Sequence, residues 1–74
     1  MERGHDVVLM QLGERVRLLR RQVGLSQEEL AHRSGMDRTY ISQIERGVCN
    51  PSLIALLNVA KALDHPLAAL FADN

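Results

Sequence analysis

Residues Ser26–Gly47 read SQEELAHRSGMDRTYISQIERG, and this stretch decides the fold. Ser26 with Glu29 three positions later is a capping-box signature. The serine oxygen takes one orphan N–H of a new helix, and the glutamate reaches back to the N–H of the serine. Leu30 and Ala31 form a small apolar face, and Gly35 can turn out of the helix in a left-handed conformation without steric cost. A second start follows at once. Asp37 is placed to cap the next helix, while Met36 and Ile41 occupy the two positions of a hydrophobic staple.

Two short helices joined by a glycine turn over about twenty residues make a helix-turn-helix, a plan in which the second helix lies in the DNA major groove. The flanks are helical as well. Val8, Leu12, Val16, Leu19 and Val23 recur at i+4 and i+3, which places them in one stripe of a first helix ended by Gly24. Gly47 stops the third helix, and VCNP forms a connection. Ser52 caps a fourth helix, SLIALLNVAKALD, and Pro66 fits the first turn of a short fifth. No alternating strand pattern, repeat or low-complexity tract interrupts them. The expectation is one all-α domain over residues 1–74, compact and five-helical, with helices 2 and 3 forming the motif at about residues 26–47.

Composition narrows the function. A chain of 74 residues is close to the size below which a core needs staples, yet Cys49 is its single cysteine, so neither an intrachain disulfide nor a cysteine metal site is available. Cytoplasmic residence is the default expectation. No apolar run reaches the length of a membrane span, and the N-terminus lacks the apolar region of a signal peptide. Tyr40 and Phe71 are the sole aromatics, which disfavours stacking on single-stranded nucleic acid. His5, His32 and His65 lack ligand spacing, so no metal is expected. No phosphate loop, nucleophile elbow or paired carboxylates appear, and Glu28 and Glu29 read as charges favouring a helix dipole. The chain is expected to be no enzyme and to need no cofactor.

The net charge is zero, which argues weakly against DNA, but its distribution matters more. Residues 15–46 hold seven arginines against Glu28, Glu29, Asp37 and Glu45. Eight of the nine cations are arginine, the side chain suited to bidentate phosphate and guanine contacts. At about 100° per residue, Ile41 and Ile44 face one side of helix 3 with Tyr40 beside them, while Thr39, Ser42, Gln43 and Arg46 fall on the opposite arc. Arg38 lies in the first turn, where recognition helices present residues to the groove. Arginine offers a donor pair to guanine, glutamine a matched donor and acceptor to adenine, and threonine a hydroxyl and a methyl. Gln27 adds an amide donor beside the helix 2 N-terminus, a place that favours phosphate.

From LGERVRLLRRQ to DHPLAALF, roughly residues 9–72, the chain resembles the xenobiotic-response-element (XRE) family of helix-turn-helix regulators, which includes Cro and the lambda-type repressors. The run DRTYIS…ER is most similar to the controller proteins of restriction–modification systems. The resemblance implies a lambda-repressor-like DNA-binding domain. It implies base contact by Arg38, Thr39 and Gln43, and backbone contact by Arg46 and Asn50; Ser42, on the same arc, is expected to join the base contacts, and Gln27 and Tyr40 the backbone contacts. It also implies that Arg20 and Glu45 pair to lock helix 1 against the recognition helix. Cys49 stands where controller-like members often carry a basic residue, and it is expected to be an inert thiol.

Helix 4 is apolar nearly all round. Leu53, Leu56, Ala60 and Leu63 make the expected core face, yet Ile54 and Leu57 lie on the arc of Asn58, Lys61 and Asp64. Helix 5 adds Leu67, Leu70 and Phe71. The expectation is a homodimer through Ile54, Leu57, Leu67, Leu70 and Phe71, because a two-fold dimer spaces recognition helices about one DNA turn apart, roughly 34 Å. Within this length there is no room for a ligand-binding domain, so no small-molecule ligand is expected. The function expected is a sequence-specific regulator on a palindromic operator in double-stranded DNA. A phage-type repressor, or a protein-interaction or antitoxin module on the same fold, is the alternative.

Overall fold

The computed structural model describes residues 3–71. Four α-helices follow one another: α1 (Arg3–Val23), α2 (Gln27–Ser34), α3 (Arg38–Arg46) and α4 (Leu53–Ala62). A 3₁₀ turn over Leu67–Phe71 comes last, so the expected fifth α-helix is corrected to a tighter element. Ala69 N donates to Pro66 O at 2.9 Å, an i→i+3 bond with the proline just outside. Five residues are too few to sustain an α-helical nucleus, and short pieces close more readily as 3₁₀. Two long-range contacts hold it: Arg15 Nε donates to Ala69 O at 2.8 Å, and Leu70 is buried among the helices.

Local chemistry explains most helix ends. Ser26 Oγ accepts from Glu29 N at 3.0 Å while Ser26 N donates to Glu29 Oε1 at 2.8 Å, completing the capping box of α2. Ser52 Oγ accepts from Ala55 N at 3.0 Å at the start of α4. Asp37 sits at the N-cap of α3, but its side chain makes no capping bond, a correction to the sequence reading. All four α-helices close with the same pair of backbone bonds. In α3 these run from Val48 N to Gln43 O and from Gly47 N to Ile44 O, both at 3.1 Å. In α4 the equivalent left-handed position is Asp64, with φ of 59°, where α1, α2 and α3 use glycine. The fourth helix therefore ends at Ala62, earlier than its apolar run suggests.

Leu12, Val16 and Leu19 of α1 meet Leu30, Ile41, Ile44, Val59, Leu63 and Leu70 in one core. Val8 and Val23, the ends of the expected stripe, are exposed because α1 overshoots this core in both directions. On α4 the buried set is Ala55, Leu56, Val59, Ala60 and Leu63. Leu53, expected in the core, is 62% exposed: it lies about a third of a turn from Val59, in the first turn of the helix. Helix α1 lies directly on the C-terminal end of α3. A side chain at Gly13 would run into the carbonyl oxygens of Ile44 and Glu45, and one at Gly47 would meet the Met10 backbone at about 3 Å.

Candidate nucleic-acid interface

Helix α3 has a buried side and a polar side. Ile41, Ile44 and Glu45 are buried, whereas Arg38, Thr39 and Arg46 are exposed and Ser42 and Gln43 half-buried. The buried apolar residues come at i and i+3, so packing turns the remaining arc outward. Thr39, Tyr40 and Gln43 line one shallow depression together with Gly35, Met36 and Asp37. Arg38 stands at the open first turn beside it. With Asp37 making no side-chain bond there, the first N–H groups of α3 keep their donor capacity.

One carboxylate holds this helix in place. Arg20 Nε donates to Glu45 Oε2 at 2.6 Å, and Arg20 Nη2 donates to Glu45 Oε1 at 3.0 Å, a bidentate pair. Arg20 Nη1 also donates to Leu25 O at 2.9 Å, so one guanidinium ties α1, the α1–α2 turn and α3 together. Two further donors converge on Glu45 Oε1: Gln27 Nε2 at 3.0 Å and Arg17 Nε at 3.4 Å. Burial pushes the Glu45 carboxyl up, but the bonds from Arg20 and Gln27, the Arg20 charge and the Arg17 contact outweigh it and hold it below the usual carboxylate range. The same pairing raises Arg20. Among the described residues no buried side-chain nitrogen or oxygen lacks a partner.

Sequence reasoning did not find Gln27 and Arg17 as partners of Glu45. Both are polar residues on helical segments, and nothing in their local spacing points to a carboxylate 18 or 28 residues away. Gln27, expected at the DNA backbone, has one of its amide hydrogens engaged internally. Tyr40 Oη accepts from Ser52 N at 3.3 Å, which leaves its hydroxyl proton available to an outside acceptor. Asn50 is exposed but lines a different groove, beside His5, Val8 and Leu9 of α1, apart from the α3 depression. Cys49 packs half-buried against the core, and burial pushes its thiol up, away from thiolate reactivity.

The outer apolar residues divide. Ile54, Leu57 and Phe71 are exposed and Leu67 is half-buried, but Leu70 has no exposed surface. It belongs to the core of this chain, so the expected interface set is corrected by its removal. No helix among the described residues is long and apolar enough to cross a membrane.

This arrangement matches known proteins. The profile of the helix-turn-helix family HTH_3 matches residues 16–70. The crystal structure of the restriction–modification controller protein C.AhdI from Aeromonas hydrophila superposes with a TM-score of 0.84 at 49% identity, covering 85% of this chain and 96% of that one. Control protein C.SmaI from Serratia marcescens is 49% identical over 53 residues, 72% of this chain and 63% of its own length. Control protein C.MunI from a Mycoplasma species is 37% identical over 67 residues, 89% of this chain and 90% of its own. Other curated relatives are longer, and the chain spans 26% and 45% of two of them.

Proposed function

Since this chain belongs to the helix-turn-helix family HTH_3, we propose that it is a transcriptional regulator that binds specific sequences in double-stranded DNA as a homodimer. The observation that carries this reading is the polar arc of α3, set opposite Ile41 and Ile44 and anchored through Glu45. Arg38, Thr39, Ser42 and Gln43 read bases from that arc. Gln27, Tyr40 and Arg46 position the phosphate backbone, with Asn50 contacting it from the groove beside α1. Residues 1–74 act as one domain, and two copies meet through Ile54, Leu57, Leu67 and Phe71. Their symmetry calls for a palindromic operator. The narrower role is control of a restriction–modification system, supported by the names of the relatives C.AhdI, C.SmaI and C.MunI. The site of action in this reading is the cytoplasm.

Selection of bound duplexes from a random DNA pool tests the reading. A two-fold symmetric consensus is the expected result. Arg38→Ala should then lower affinity for that consensus by about 1–3 kcal/mol and relax one base pair in each half-site. Failure to enrich any duplex would overturn the proposal, and equal loss on consensus and random DNA would reassign Arg38 to phosphate.

A further inference from the structure

The charge around Glu45 does not balance. Two guanidiniums, Arg17 and Arg20, share one carboxylate, and the third donor, Gln27, is neutral. Arg20 already takes both oxygens of Glu45 in short bonds and is largely buried, so it neutralises the carboxylate by itself. Arg17 is held much less firmly. Its single bond to Glu45 is 3.4 Å long, its side chain is 42% exposed, and its Nη1 and Nη2 groups make no hydrogen bond among the described residues. The cluster thus carries one positive charge in excess, placed on its solvent side, with a guanidinium fork of unspent donors.

That fork is next to Gln27, the first residue of α2, because both side chains reach the same oxygen of Glu45. The first helix of a helix-turn-helix crosses the DNA backbone. We infer that Arg17 is a further phosphate-binding residue, parked on Glu45 in the protein alone and turned onto a backbone phosphate beside α2 in the complex. Glu45 loses nothing essential in the exchange, since Arg20 and Gln27 continue to satisfy it. The inference rests on the regulator reading above and adds to it a cation from α1, outside the helix-turn-helix itself. It also gives a chain of zero net charge one more way to bind a polyanion.

The phosphate term is independent of sequence, so the probe is a random-sequence duplex of about thirty base pairs, titrated across a salt series. Arg17→Gln should make the dependence of log affinity on log salt shallower by about 0.9 for each subunit bound, which is about a threefold loss per subunit at the low-salt end of a fourfold series. Arg17→Lys should keep the parent slope. Both variants should melt within a few degrees of the parent, because a half-exposed pair contributes little to stability. An unchanged slope in Arg17→Gln, while the parent binds duplex normally, overturns this inference alone. A lowered melting point with the parent slope makes Arg17 a structural partner of Glu45 and overturns it too. If the parent binds no duplex at any salt, the regulator reading falls and takes this inference with it.

Discussion

The seam between α1 and α3 and the outer face of α4 treat their side chains in opposite ways. In the seam, Gly13 and Gly47 let the two backbones touch, and a fully buried glutamate has each oxygen satisfied from within the chain. On the outer face, Ile54 and Leu57 of α4 are 65% and 42% exposed, and Phe71 of the 3₁₀ turn is 52% exposed. One region spends its polar groups internally, where each would be costly if left unpaired. The other keeps apolar surface in water that a second surface would cover. Under the proposed reading, the contrast separates what would orient a recognition helix from what would bring two such helices together. Substitutions in the two regions should therefore have different signatures.

The largest effect belongs to the seam. Glu45→Ala strands the buried Arg20 and should cost about 3–5 kcal/mol, lowering the melting temperature by roughly 10 °C or more before any DNA is added. The acid limb of the same experiment has a definite sign. The folded Glu45 carboxyl lies below its ordinary range, so its stabilisation is complete above the unfolded value and is lost as pH falls through the depressed folded one. The parent should therefore lose stability below about pH 4 more steeply than Glu45→Gln. Coincident acid profiles, or an unchanged melting curve for Glu45→Ala, would remove the seam from one side of the contrast.

A smaller effect on the fold but a clear one on assembly is expected at α4. Each apolar side chain buried between copies is worth about 1.5–3 kcal/mol, so a charge at Leu57 should split the proposed dimer. Leu57→Glu should sediment as a monomer at micromolar concentration, keep its helical signal, and melt close to the parent. It should also lose the palindrome while retaining weak binding to half-sites. A variant that still sediments as a dimer would move the interface elsewhere, with the exposed Val7, Val8 and Met10 of α1 next in line.

The smallest effect concerns neither surface and calibrates both. Asp64 holds a left-handed conformation that costs an ordinary residue about 1–2 kcal/mol, partly offset because glycine loosens the unfolded chain. Asp64→Gly should gain about 0.5–1 kcal/mol, seen as a rise of a few degrees with no change in sedimentation or DNA affinity. A loss of stability would mean that the aspartate carboxylate makes a contribution of its own at the end of α4.

Much of this molecule was legible from its residues because the deciding chemistry acts over short spans. The capping box of Ser26 and Glu29, the Ser52 cap and the glycines at positions 24, 35 and 47 involve neighbours within a turn or two, so spacing alone located those helix ends, though not the end of α4 at Ala62. The polar arc of α3 followed from its period in the same way. Tertiary structure decided what depends on how helices cross. Local spacing cannot reveal that Arg17 and Gln27 converge on Glu45, or that Gly13 lies against the Ile44 and Glu45 carbonyls. Nor can it tell that Leu70 is core while Leu53 is surface, since both are leucines in apolar runs. The difference lies in the angle at which each segment meets its neighbours. That angle is set by the packing of the whole chain, because a side chain is buried by what another helix brings to it.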